Sequence, residues 1–74
     1  MKMETTYIVK EDLQEDEFKV GFTGTAEDFK KVFLPYLAEY EWLKSDWNTL
    51  NSLEGKAAID FIASYWELRI EEVK

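Results

Sequence analysis

The stretch TTYIVKEDLQEDEFKVGFT, residues 5–23, carries the pattern that decides the fold. Its first part, TTYIVK, is β-branched and aromatic, and its last part, FKVGFT, alternates apolar and polar residues as a half-buried strand does. The side chains expected to face inward are Tyr7, Val9, Phe18, Val20 and Phe22. Two such strands joined by a polar turn predict an antiparallel hairpin with one apolar side.

The turn between these strands holds five carboxylates in seven residues, from Glu11 to Glu17. A calcium loop needs oxygen ligands at prescribed spacings and a glycine at its bend, and EDLQEDE has neither. Because water screens charge at the tip of a turn, the simplest interpretation is a solvated turn. The alternative is that Glu15, Asp16 and Glu17 contact a basic partner.

A helix is predicted to follow the hairpin, beginning at GTAED, residues 24–28, where Thr25 can act as the cap and Asp28 stands three positions later. Apolar side chains then recur at the spacing of one helical face, so the helix is expected to run to about Lys44. Pro35 lies within this span and removes a backbone hydrogen bond. The unbroken phase of the apolar stripe favours a kink over two abutting helices.

The second half of the chain is more ambiguous. SDWNTLNSLEG, residues 45–55, predicts a short helical turn or connector ended by glycine. Residues 56–74 are predicted to form a helix, because no Gly, Pro or Asn interrupts them and most of their residue types permit one. The alternative makes residues 66–73 a third antiparallel strand, which would support an otherwise marginal hairpin.

The predicted fold is therefore a single small α+β domain over residues 1–74, built in two layers. In the favoured arrangement the N-terminal antiparallel hairpin packs on two helices, in the order ββαα, with a short helical turn between the helices. In the alternative the order is ββαβ or ββααβ, with the third strand at residues 66–73.

Composition limits the chemistry of this chain. The 74 residues include neither Cys nor His, so disulfides, thiolate nucleophiles and imidazole metal ligands are excluded. Catalysis would fall to carboxylates, Lys or Tyr converging in a pocket, and a fold of this size has little room for one. No phosphate loop or serine elbow is present. We therefore expect no enzymatic activity, no cofactor and no metal site.

Charge and hydropathy limit the kinds of partner that this chain can bind. Sixteen acidic against nine basic residues give a formal net charge of -7. Binding to nucleic acid or anionic lipid depends on Lys and Arg, so direct contact with either is disfavoured. No stretch approaches the roughly 20 apolar residues of a membrane span, and the N-terminus lacks the apolar region of a signal peptide. These features predict a soluble, cytoplasmic protein whose partner is a protein with a basic surface.

Aromatic residues make up 16% of the chain, more than so thin a core needs. Beside its main stripe, the first helix carries a second apolar line through Leu34, Ala38 and Trp42, and Trp47 lies just beyond its end. One interpretation is that such lines pack helix against helix. The other is that Trp42, Trp47 and Leu34 meet another chain, since Trp concentrates binding energy in few residues. That chain is either a different protein or a second copy in a homodimer.

Together these observations predict a small acidic binding or regulatory protein that acts through protein–protein contacts. An alternative is a nucleic-acid mimic, whose carboxylates imitate phosphates and block the basic groove of a DNA- or RNA-handling enzyme. The carboxylates available for this role are Glu11, Asp12, Glu15, Asp16, Glu17, Glu67, Glu71 and Glu72. In length, acidity and order of hairpin then helix, the chain resembles the small acidic host-takeover proteins of bacteriophages. Those include anti-restriction, anti-CRISPR and uracil-DNA glycosylase inhibitor proteins, and the resemblance lies in layout rather than in any motif.

Overall fold

An antiparallel sheet with strand order β2-β1-β3 organises the computed structural model, which describes residues 4–73. The strands are β1 (Thr6–Asp12), β2 (Thr23–Thr25) and β3 (Leu68–Val73). The helices are α1 (Ala26–Ala38), α2 (Lys44–Ser52) and α3 (Lys56–Tyr65), with a 3-10 turn, Glu41–Leu43, before α2. This order confirms the α+β class and the ββααβ alternative, and the helix favoured for residues 66–73 is wrong.

The N-terminal hairpin exists, but its second strand lies further along the chain than predicted. β1 carries Tyr7 and Val9 into the core, as expected. It pairs antiparallel with β2, so that Tyr7 stands opposite Gly24. Of the strand predicted at residues 18–23, residues 18–21 form a turn and only Thr23 belongs to β2.

The alternating segment FKVGFT turns because two of its residues leave the extended conformation. Lys19 has φ 57° and Gly21 has φ 92°, both in the left-handed region. As a result Val20, expected to face inward, is 45% exposed. Phe18 and Phe22 still pack against the core. The prediction of inward-facing residues was therefore right for Phe18 and Phe22 and wrong for Val20, and the predicted strand was wrong.

Helix α1 begins at the predicted residue and ends earlier than predicted. The Thr25 side chain accepts from the Asp28 amide at 3.2 Å, and the Asp28 carboxylate accepts from the Thr25 amide at 3.0 Å. This is a capping box. The helix stops at Ala38 rather than at Lys44, and it passes through Pro35 without ending there. Proline disturbs the turn that precedes it, so the helical path is left where the backbone becomes extended, at Tyr40. Two separate helices replace the single kinked one.

Strand β3 forms because the backbone reverses at Glu67. The last helical hydrogen bond of this region runs from the Trp66 amide to the Ile62 carbonyl at 3.1 Å. Glu67 then adopts φ 53°, which no helix interior allows. Beyond it Leu68 is buried and Ile70 is half-buried, the alternation of a strand with one covered face.

The core lies between the sheet and the helices. Its largest fully buried side chains are Val9, Phe29, Phe33, Leu37, Leu50 and Ile62. Three of these stand at i, i+4 spacing on one face of α1. Each large apolar side chain stabilises the fold by roughly 1.5–3 kcal/mol when buried. Since α1 supplies half of these six side chains, it is the element on which the rest of the fold packs.

No helix in residues 4–73 is long and apolar enough to cross a membrane. The longest, α1, has 13 residues, which at 1.5 Å per residue span roughly 20 Å.

Candidate protein-binding surface

Trp42 is the most exposed large apolar side chain in the part of the chain that the structure describes, with 75% of its surface accessible. It lies in the 3-10 turn after α1 and stacks on Tyr40, which is 50% exposed. The two ring centroids are 4.6 Å apart and the ring planes differ by 18°. Tyr40 has an extended backbone, φ -129° and ψ 140°, so the chain leaves the helix here and carries both rings to the surface. We call these two residues the aromatic pair.

A groove of about 400 Å³ lies beside the aromatic pair, between the end of α1 and helix α2. Its apolar lining consists of Leu37, Ala38, Tyr40 and Trp47. Its polar lining consists of Glu39, Glu41, Lys44 and Asn48, so that two carboxylates face one ammonium. Apolar lining with a few charged groups at the edge is the usual composition of a binding site.

Lys30 holds α2 in place and so fixes one wall of this groove. Its side chain is buried, and its ammonium donates to the carbonyl oxygens of Asn51 at 3.0 Å and Leu53 at 2.8 Å. These carbonyls lie at the C-terminal end of α2, where helix carbonyls lack partners and a positive charge is favourable. The Glu27 carboxylate, 3.7 Å away, supplies a counter-charge. Since Trp47 belongs to α2, its position in the groove depends on this contact.

The three apolar residues predicted to bind a partner occupy different environments. Trp42 is freely exposed, whereas Trp47 and Leu34 are half-buried and pack against the core. Trp47 still borders the groove, but Leu34 is not among its lining residues. Tyr40 was missed because the apolar stripe placed it on the buried face of a longer helix. No sequence pattern identifies Tyr40 as exposed, because α1 continues through Pro35 to Ala38 and the backbone becomes extended only at Tyr40.

All aromatic residues other than the aromatic pair and Trp47 form one connected cluster, which extends from the core to the surface. Its members are Tyr7, Phe18, Phe22, Phe29, Phe33, Tyr36, Phe61, Tyr65 and Trp66. The ring centroids of Phe33 and Trp66 are 4.8 Å apart, and those of Tyr65 and Trp66 are 4.7 Å apart. Contacts of this kind add roughly 0.5–1.5 kcal/mol per pair beyond area burial. This part of the aromatic surplus therefore stabilises the monomer.

In two surface pairs outside the groove, one member has a raised pKa: Tyr65 in the first and Lys56 in the second. The Tyr65 hydroxyl donates to the Asp46 carboxylate at 3.1 Å and joins α3 to α2. Partial burial, followed by this hydrogen bond and the charge of Asp46, raises the pKa of Tyr65. The pKa of Lys56 is raised by its hydrogen bond to Asp60 at 2.9 Å and by the charge of that residue. Both pairs brace helices rather than prepare a reactive group.

The five carboxylates of the acidic turn have three different environments: Glu11 pairs with Arg69, Asp12 is structural, and the other three face solvent. Asp12 is buried, and its two oxygens accept from the amides of Gln14 and Phe18, both at 2.8 Å. It thereby closes the loop, as Asp does in many turns. Residues 15–17, predicted as partner contacts, are exposed at the loop tip. Their backbone is strained, because Glu15 and Glu17 have φ 60° and 53°.

The carboxylates considered for nucleic-acid mimicry form two groups. Glu67 accepts from the Gln14 side chain at 3.0 Å, which places it beside the acidic turn. On the solvent face of the sheet, Arg69 lies 3.1 Å from Glu11 and 3.8 Å from Glu71. This second group is thus partly neutralised within the chain.

Across residues 4–73, no group of three or more Asp or Glu side chains is placed to hold a metal ion. No family model matches the sequence, and no curated protein or solved structure is significantly similar to it. The chemistry of the surface is therefore the basis for proposing a function.

Proposed function

We propose that this chain is a small acidic binding or regulatory protein that acts by occupying the surface of a protein partner, without catalysis of its own. The observation that carries the proposal is Trp42, which is 75% exposed and stacked on Tyr40 beside an apolar groove. Aromatic side chains of this kind supply large contact area at little entropic cost and dominate the energy of many interfaces.

The partner that fits this surface is a protein with a basic surface around an apolar side chain. The groove accepts the apolar side chain, and Glu39 and Glu41 attract positive charge at its edge. The exposed face of the Trp42 ring can also accept a Lys or Arg by a cation–π contact. The net charge of -7 favours approach of such a partner over longer distances. A cytoplasmic location is part of this proposal and is supported by the absence of Cys. A phage or mobile-element origin is also part of it, and rests on the length, acidity and layout of the chain.

The test is affinity capture from source cells, with the captured proteins identified by mass spectrometry and then measured individually by calorimetry. W42A is expected to weaken binding by tenfold or more, the loss typical of an aromatic anchor of about 1.4 kcal/mol or above. Because Trp42 is exposed, its removal should leave the melting temperature unchanged. V20A, at an exposed apolar position outside the groove, is the matched control.

Trp47 needs a different design, because it is half-buried and W47A is expected to destabilise the fold as well. A melting curve must accompany that variant. If W42A binds the captured protein as tightly as wild type while folded, the aromatic pair is not the binding surface.

A second candidate function is inhibition of a DNA- or RNA-handling enzyme by imitation of phosphates. It is favoured by the exposure of residues 15–17 and by the hydrogen bond that brings Glu67 to the same loop. The triple reversal E15K/D16K/E17K should abolish binding if the loop is the contact. The reversal E39K/E41K should do so if the groove is the contact. Comparing the two sets distinguishes the two functions, since each serves as the control for the other.

A further inference from the structure

Strand β3 is an edge of the sheet. Among residues 4–73, only β1 pairs with it, and its six residues present an open row of backbone groups on the other side. Unpaired edges of this length are templates for another strand.

The hydrogen bonds of β1 show which backbone groups face that edge. Val9 donates its amide to the Phe22 carbonyl at 3.0 Å, and its carbonyl accepts from Gly21 at 2.8 Å. Both polar groups of Val9 therefore point toward the hairpin partner. Successive residues of a strand direct these groups to opposite sides, so those of Ile8 point toward β3.

The same alternation can be followed along β3. Ile8 stands opposite Glu71, so the amide and carbonyl of Glu71 point back to β1. Those of Leu68, Ile70 and Glu72 consequently point to the open edge. The amide of Leu13 donates to the Glu67 carbonyl at 2.9 Å, so the odd-numbered residue Glu67 also directs its carbonyl toward β1, as this alternation requires.

Because only alternate residues of β3 direct their backbone groups to the open edge, few alignments with a second copy of β3 are possible. Two identical antiparallel strands related by a two-fold axis must place outward-pointing residues opposite each other, so a residue must face its own copy. Centring the pair on residue 69 sets Arg69 against Arg69, and centring it on residue 71 sets Glu71 against Glu71. Centring it on Ile70 sets Arg69 against Glu71 of the second copy, twice. Like charges directly opposite destabilise a sheet, whereas opposite charges stabilise it.

We propose that two copies of this chain associate through β3, antiparallel, with Ile70 opposite Ile70 of the second copy. The pairs Leu68 with Glu72, Ile70 with Ile70, and Glu72 with Leu68 would each exchange two backbone hydrogen bonds. The sheet then has the order β2-β1-β3-β3-β1-β2. Its remaining edges are the three-residue strands β2, so the assembly closes at two copies.

The side chains of β3 suit this arrangement. Arg69 is exposed and already lies near Glu11 and Glu71 of its own chain, yet a guanidinium has five donors and can bond a further carboxylate. Arg69 and Glu71 fall at non-hydrogen-bonded positions, where opposed side chains approach most closely. On the opposite face of the sheet Ile70 is half-buried and would be covered further by its copy. None of these residues belongs to the aromatic pair or the groove, so the dimer goes beyond the proposed function and does not rest on it.

The test is the molar mass of the full chain, measured by sedimentation velocity over a range of concentrations. We expect a monomer–dimer equilibrium. E72P removes an amide that faces the open edge and keeps every bond to β1, since proline is tolerated at such edge positions. It should raise the dimer dissociation constant about 10- to 100-fold, because two backbone bonds are lost per dimer. E72T keeps the amide, removes the same charge, and should change the constant less than about threefold.

A second set of variants tests the register. E71R sets Arg against Arg and should weaken the dimer, whereas E11R/R69E/E71R inverts all three charges and should restore it. Circular dichroism must show that each variant is folded. W42A should leave self-association unchanged, which separates this result from a failure of the proposed function.

A chain that stays monomeric at millimolar concentration would overturn the proposal. So would a dimer that E72P leaves intact, which must use another face. A dimer whose dissociation constant is unchanged by E71R would refute this register. If E72P instead abolishes binding of a different protein, the open edge of β3 is the binding site of that protein.

Discussion

Replacing Lys30 by Met is expected to lower the free energy of unfolding by about 2 to 4 kcal/mol. Met fills similar space, so the change removes the ammonium without opening a large cavity. Hydrogen bonds from a charged donor contribute about 1.5–3 kcal/mol each, and Lys30 donates to the carbonyls of Asn51 and Leu53. Asn51 is exposed, so water replaces part of what is lost, and the buried thioether offsets some more.

The assay is urea unfolding followed by tryptophan fluorescence, with a thermal melt in parallel. For a domain of this size, about 4–8 °C are lost per kcal/mol, so the melting temperature should fall by roughly 8 to 32 °C. K31M is the matched control, because Lys31 is the next residue, carries the same charge and is exposed. Its effect should stay within about 0.5 kcal/mol.

Equal urea midpoints for K30M and K31M would refute the reasoning, because the two carbonyl contacts would then carry no net energy. Hydrogen exchange supplies a local measure of the same idea. If Lys30 holds α2, exchange in residues 44–52 should accelerate more in K30M than exchange in β1. Uniform acceleration would show that α2 is held by its apolar contacts alone.

Three further predictions concern the loop and the helix pair. Asp12→Ala should lower stability by about 1–3 kcal/mol, because two loop amides lose their acceptor; unchanged hydrogen exchange at those amides would contradict this. Glu17→Gly should raise stability by up to about 1 kcal/mol, since glycine adopts φ 53° without steric cost, and a lower urea midpoint would exclude relief of strain. The pKa of Tyr65 is raised in the folded state, so its contribution is present below the unfolded value of about 10 and is lost as pH rises through the folded value. The stability advantage of wild type over Tyr65→Phe should therefore shrink above pH about 10, and a constant advantage there would show that Asp46 does not hold the phenol.

The parts of the fold that local chemistry decides could be predicted from the sequence. The Thr25 capping box follows from its residue types, and Tyr7 and Val9 face the core as the strand pattern indicates. The choice between helix and strand at residues 66–73 could not be made in this way. It depends on pairing with β1 at the other end of the chain and on a left-handed Glu67, a conformation that no propensity assigns to Glu.

The candidate surface was predictable in part. Trp42 was predicted to be exposed because so thin a core does not need another large ring. Tyr40 was not predicted, because the apolar spacing of the helix continues past its true end and assigns Tyr40 to the buried face. Lys30 was invisible to pattern analysis, because a lysine within a helix is ordinarily solvated. Its partners are backbone carbonyls of α2, and only tertiary packing brings them to it.

The central strand of the sheet has its main partner at the far end of the chain. On the ribosome, β1 emerges first and has only the three residues of β2 to pair with until residues 68–73 leave the exit tunnel. An isolated hairpin is marginal in water, and closing so long a loop carries a large entropic cost. Pairing of β1 with β3 is therefore expected to be the slow step in folding, because the two strands lie far apart in the sequence.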